Sequence, residues 1–163
     1  MGPGRIPVSL MSIMIPFKLA FTATARDPKQ LATFISELSS EDPIRRYWAT
    51  QGCLILGKSA ASAQEQLTKA LNDKHSAIRV ASAHALIRIG SEDKGKAAVV
   101  AELGRDNDEY SQLNLINSLT QLDLLAMISD EWVQQTLKNK KSGKYVVRLA
   151  QRIRDQRKGK QKK

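Results

Sequence analysis

Cysteine, histidine and aspartate are the side chains in this sequence best suited to chemistry, and their spacing sets what they can do. Cys53 is the single cysteine, so an intrachain disulfide and a multi-cysteine zinc site are both excluded. No charged residue adjoins it to stabilise a thiolate, which points to a small core residue and not a nucleophile. His75 and His84 have no third ligand at metal spacing, whereas zinc needs three or four converging donors; no metal and no cofactor is expected. Asp42, Asp73, Asp106 and Asp108 suggest paired carboxylates for acid and base work. They recur at turns, however, where an acid caps the helix that follows and faces a neighbouring arginine. Trp48 and Trp132 have the chemistry of binding anchors and equally that of core packing. No glycine-rich phosphate loop, Ser-His-Asp order or nucleotide fingerprint occurs.

The elements that position these residues form a repeat. DPIRRYWATQGCLILG (42–57) aligns with HSAIRVASAHALIRIG (75–90), each with an arginine eleven residues before its glycine, at a period of 33. One period further, YSQLNLINSLTQLD (110–123) follows in register, with Gln112 in place of the arginine and Asp123 in place of the glycine. A looser fourth copy starts at Tyr145-Val146-Val147-Arg148. A shorter amphipathic stretch precedes each copy: Leu31, Phe34, Ile35 and Leu38, then Ala63, Leu67, Ala70 and Leu71, then Val99, Val100 and Leu103, and finally Trp132, Val133, Thr136 and Leu137. Asp27-Pro28 and Asp42-Pro43 read as helix starts, and Gly57 and Gly90 as left-handed helix ends. The second helices are apolar on more than one face, as helices sandwiched between neighbours must be. The unit is therefore helix, turn, helix.

Asp42, Arg46, Ala49, Gly52, Leu56 and Gly57, and again Arg79, Ala85, Leu86, Ile89 and Gly90, resemble the HEAT-repeat pattern. The resemblance implies an all-α fold, a right-handed α-solenoid of about three to four HEAT-like helix-turn-helix repeats. It also implies a ladder of Asp and Arg between repeats, weakened here by Gln112 and Asp123. More narrowly, ATARDPKQLATFISEL and the Arg46–Gly52 run RYWATQG look like the C-terminal helical-repeat region of some bacterial sulfatases. The sulfatase nucleophile motif, a Cys or Ser two residues before Pro and four before Arg, does not occur around Cys53. The resemblance thus implies an accessory module or a docking partner of a sulfatase catalytic domain, exported or periplasmic if it holds and cytoplasmic otherwise.

Length and composition fit one domain of packed helices. The expected organisation is a leader at 1–16, open to reading as disordered, signal-like or a misassigned start; a helical-repeat domain at 17–157; and a basic disordered tail at 158–163. The apolar run from Ile6 to Phe21 is interrupted by Pro7, Pro16 and Lys18, which makes a poor membrane span. The net charge of +10 is lopsided: from Lys138 to Lys163 there are twelve Lys and Arg against Asp155 alone, and the rest of the chain carries −1.

Three function classes follow. The leading one is a non-catalytic docking module for a protein partner, whose binding face along the second helices carries Arg45, Arg46, Arg79, Gln112 and Arg148. The second is nucleic-acid or weak polyanion binding through the basic end, by Lys158, Lys160, Lys162 and Lys163. The third is a HEAT-like lyase or glycosylase, for which no acid or nucleophile can be named. Two end caps are also expected. The segment from Phe17 to Ala25 should be a helix packed through Phe17, Ala20 and Phe21; Lys144 to Arg157 should dock through Val146, Leu149, Ala150 and Ile153, with Arg148 and Arg152 outward.

Overall fold

The computed structural model describes residues 18–105 and 107–160. Helices follow one another throughout, with no strand among the described residues: α1 (18–24), α2 (Leu31–Glu37), α3 (Pro43–Leu56), α4 (Gln64–Ala70), α5 (Ser76–Ile89), α6 (Glu92–Ala101), α7 (Glu109–Gln121), α8 (Asp130–Lys138) and α9 (Lys144–Lys160). Short 3-10 segments join several of them, the longest being Gly57–Ala63. The fold is all-α and built of HEAT-like helical hairpins. It divides into two compact units, Met1–Gly95 and Lys96–Lys163.

In the first unit the hairpins α2/α3 and α4/α5 stack with their second helices side by side, α3 against α5. The paired Asp-Pro starts behave as their chemistry dictates. Asp42 accepts a hydrogen bond from the Ile44 N–H at 2.8 Å, and Pro43, lacking an N–H, adds no donor that needs a partner. The core joins Leu19 and Ala23 of α1, Phe34 and Leu38, Ala49 and Cys53 of α3, Leu67 of α4, and Ala85, Leu86 and Ile89 of α5. Gly52 lets α2 approach α3 closely: a Cβ there would stand 2.6 Å from the Phe34 ring, which is itself 1% exposed.

The N-terminal cap exists, but it turns a different face inward than the aromatic spacing suggested. Leu19 and Ala23, four residues apart on one side of α1, are buried; Phe21, two residues round the helix from each, is 79% exposed, and Ala20 is half-buried. Phe17 lies outside the described residues.

In the second unit α9 packs against both α7 and α8. Leu149, Ala150 and Ile153 are buried and Val146 half-buried, as the periodicity required, while Arg148 and Arg152 face solvent. The helix continues past Arg157 to Lys160; residues 161–163 lie outside the described residues. Helix ends in both units use a left-handed residue. After α5, Gly90 has φ 109°, its N–H bonds the Ile87 carbonyl, and the Ser91 N–H reaches the Leu86 carbonyl at 2.8 Å. One period on, Asp123 takes φ 53° and repeats the pattern, with the Leu124 N–H on the Leu119 carbonyl at 2.8 Å. The substitution of Asp for Gly therefore left the geometry intact. Gly57 also has positive φ, at 55°, but its ψ of −131° carries the chain into the 3-10 segment instead of a left-handed cap.

Candidate functional site

The repeat places one long polar side chain, at the fourth residue of each second helix, against the turn that precedes it. In the first repeat Arg46 donates from Nη1 to the carbonyls of Ser40 and Glu41, at 2.8 and 2.9 Å. In the second, Arg79 does the same to Asp73 and Lys74, at 2.9 and 3.1 Å. In the third, Gln112 donates from Nε2 to the Asn107 carbonyl at 2.7 Å. A turn between antiparallel helices exposes carbonyls with no partner of their own, and a forked donor arriving from the next helix satisfies them. The carbonyl six residues upstream of Gln112 belongs to Asp106, outside the described residues.

Arg46 does more. Its Nε and Nη2 form a two-pronged contact with the Asp73 carboxylate of the following repeat, at 2.6 and 3.2 Å, with the side chains only 11% and 7% exposed. Asp73 also accepts from the His75 N–H at 2.9 Å, so one carboxylate closes its own turn and holds the neighbouring repeat. Burial alone pushes the Asp73 carboxyl up, but the Arg46 hydrogen bond, the His75 N–H and the Arg46 charge together hold it below the usual carboxylate range. The equivalent acid one period on, Asp106, lies outside the described residues.

Of the residues proposed for a binding face, Arg46, Arg79 and Gln112 thus direct their polar groups into turns. Arg45 pairs with Glu37 of α2. Arg148 alone of the five is exposed and without an ion pair among the described residues. The basic residues proposed for polyanions split: Lys158 is exposed on the last turn of α9, the side chain of Lys160 is not described, and Lys162 and Lys163 lie outside the described residues.

The structure shows surfaces that the sequence reading passed over. On α7, Tyr110 and Leu113 are 74% and 37% exposed, one turn apart, beside exposed Asn114 and Asn117. They occupy the 33-residue register of Ile44 and Tyr47, so the signal was present in the repeat but hidden by reading these helices as apolar all round. Within the second unit a cleft of ≈ 390 Å³ is lined by Gln112, Trp132, Asn139, Lys141 and Ser142 among others. Trp132 is half-buried there, and its indole N–H donates to the Leu103 carbonyl at 3.3 Å. In the first unit Trp48 is half-buried and meets Tyr47 edge to face at 5.5 Å.

The chemically suggestive residues take structural positions. Cys53 is fully buried, and desolvation pushes its thiol up to about 12, so no thiolate forms at neutral pH. Burial pushes the His84 imidazole down, toward its neutral form. Among the described residues no group of three or more His, Cys, Asp or Glu is placed to hold a metal, and no helix is long and apolar enough to cross a membrane. Asp42 and Asp108 serve as helix caps, Asp108 accepting from the Ser111 N–H at 2.9 Å.

Comparison with curated proteins and with solved structures gave no match. The family of HEAT repeats matches residues 31–120, more than half of the chain, and spans the three copies whose turn-directed Arg46, Arg79 and Gln112 share one register. With repeat length, hairpin order and family match in agreement, this chain belongs to the HEAT-repeat family.

Proposed function

We propose that the chain is a non-catalytic protein-interaction module whose contact surface lies on the outward side of its second helices. The observation that carries this reading is the pair Tyr110 and Leu113 on α7, an exposed aromatic and aliphatic pair flanked by the amides Asn114 and Asn117. A helix stabilised only by its own repeat has no need of apolar groups there. An aromatic anchor ringed by amides is the composition of a protein contact. The buried polar residues of the repeats give no competing catalytic constellation, since they serve the turns.

The test is a photo-crosslinking residue at position 110, identification of the adducts, and reconstitution with the purified adduct protein. A complex of defined stoichiometry, weakened about tenfold or more by Tyr110→Ser with Leu113→Ser, is expected. Equal binding by native and variant chains would overturn the assignment of the surface.

A finer reading names the partner as a sulfatase catalytic domain. Its support is the RYWATQG run, in which Arg46, Ala49, Thr50 and Gly52 are accounted for by packing while Tyr47, Trp48 and Gln51 remain partly open to solvent. Co-sedimentation of the purified chain with such a domain is the direct check, and independent migration of the two counts against it.

A further inference from the structure

The second unit carries a surface distinct from the α7 face. Along the solvent side of α9 stand Lys144, Arg148, Arg152, Arg154 and Lys158, with Asp155 as the one acid. Lys144 is engaged by Glu109 at 2.9 Å and Arg154 by Asp155 at 2.9 Å; Arg148, Arg152 and Lys158 have no ion pair among the described residues. Beside Arg152 opens a cleft of ≈ 370 Å³ between α9, the end of α7 and the 3-10 turn Leu125–Met127. Its lining is apolar at Leu125, Ala126 and Ile153 and polar at Thr120, Asp123 and Gln156. Arg157, also in the lining, is occupied by Asp130 and the Ile128 carbonyl. Met127, next to Ala126 in the chain, is 48% exposed.

Charge spacing selects the class of partner. Arg148 and Arg152 are one turn apart, a rise of about 6 Å. Side chains on one face of an extended peptide repeat at about 6.8 Å, so acids at alternate positions meet these two guanidiniums in step. A nucleic-acid duplex presents a charge every ~1.7 Å and needs denser, unbroken basicity than a face interrupted by Asp155. Base stacking has no platform either, since Tyr145, the aromatic of this helix, is half-buried with the Lys144 ammonium 5.1 Å over its ring. Asp123 in the same lining disfavours a further acid beyond one on Arg152, and Leu125, Ala126 and Ile153 suit an apolar side chain.

We infer that α9 and its flanking cleft bind an acidic protein segment in extended conformation, with carboxylates on Arg148 and Arg152 and an apolar side chain over Leu125 and Ala126. This rests on the reading of the chain as a protein-interaction module and names the chemistry of one partner segment.

The probe is a labelled synthetic peptide of about ten residues with Glu at alternate positions and one central Leu, its affinity for the full chain followed by anisotropy between about 0.05 and 0.3 M salt. Binding should weaken roughly tenfold on Arg148→Glu with Arg152→Glu, and roughly tenfold when the peptide Leu is Ser. Both replaced arginines are exposed, and an unchanged thermal melt verifies the fold; should the pair disturb it, Ala126→Glu, in the cleft lining, gives the same readout. Equal binding of the Leu and Ser peptides, no peptide binding, or tighter binding of duplex DNA of equal charge would overturn the inference, the last in favour of a phosphate-backbone surface. If a partner recovered through position 110 binds the Arg148/Arg152 variant unchanged while the peptide fails, this inference falls and the docking reading stands. Peptide binding without any partner at position 110 gives the reverse.

Discussion

Asp73 is the residue on which two repeats converge, and its energetics have a definite pH signature. Its folded-state carboxyl titrates below the unfolded value near 3.9, so the stability it contributes is fully present above about pH 5 and is lost as pH falls through the lower folded value. Replacing Arg46 by Met removes the partner of a carboxylate that is only 7% exposed and strips two turn carbonyls of their donor. We expect a loss of about 3 kcal/mol at pH 7 that shrinks toward pH 3, measured by urea unfolding across that range. Parallel native and variant curves would show that the pair contributes nothing specific. Arg46 and Arg79 were legible through their shared register, because a repeated polar residue in an otherwise apolar helix needs a repeated partner. That those partners are chiefly carbonyls five and six residues upstream was not legible, since carbonyls carry no sequence signal.

Individual helices were the most legible part of the chain. Their starts and faces are local properties of Asp-Pro pairs and apolar spacing, and α2, α3, α5, α7 and α8 fall where those signals put them. What the signals missed depends on contacts between elements. The inward face of α1 was expected at Phe17, Ala20 and Phe21, yet Leu19 and Ala23 are the residues buried and Phe21 is exposed. Asp123 departs from the glycine of the repeat pattern, but Asp tolerates the left-handed region better than most residues, and its neighbour Leu124 is buried, 2% exposed. Gly52 was legible as part of the HEAT pattern, but its contact with Phe34 of α2 was not. Gly52→Ala gains about 1 kcal/mol of helix propensity, but its Cβ meets the Phe34 ring, at a cost of about 1–3 kcal/mol. A lowered melting temperature, recovered by adding Phe34→Leu, is the expected outcome; an unchanged or raised one refutes the close approach.

At the scale of the whole molecule, the charge is separated along the chain, −1 before Lys138 and +11 from there on, and the described part of that basic end is built around an ordered helix. The repeats number near the minimum such folds tolerate, so the ends matter. Deleting residues 1–25 removes Leu19 and Ala23 from a core shared with Phe34 and Leu86, and a melting temperature lower by several degrees is expected from that loss of about 2 kcal/mol. An unchanged melt would make α1 a passenger. Several of the bonds that join elements also share a reach. Arg46 to Asp73, Ser91 to Gln64 and Arg157 to Asp130 each span 27 residues, and Trp132 to Leu103 spans 29. Chain closure over so short a span costs little entropy and is quick, so the order of assembly can follow the order of synthesis, each of these bonds forming soon after its second partner has left the ribosome.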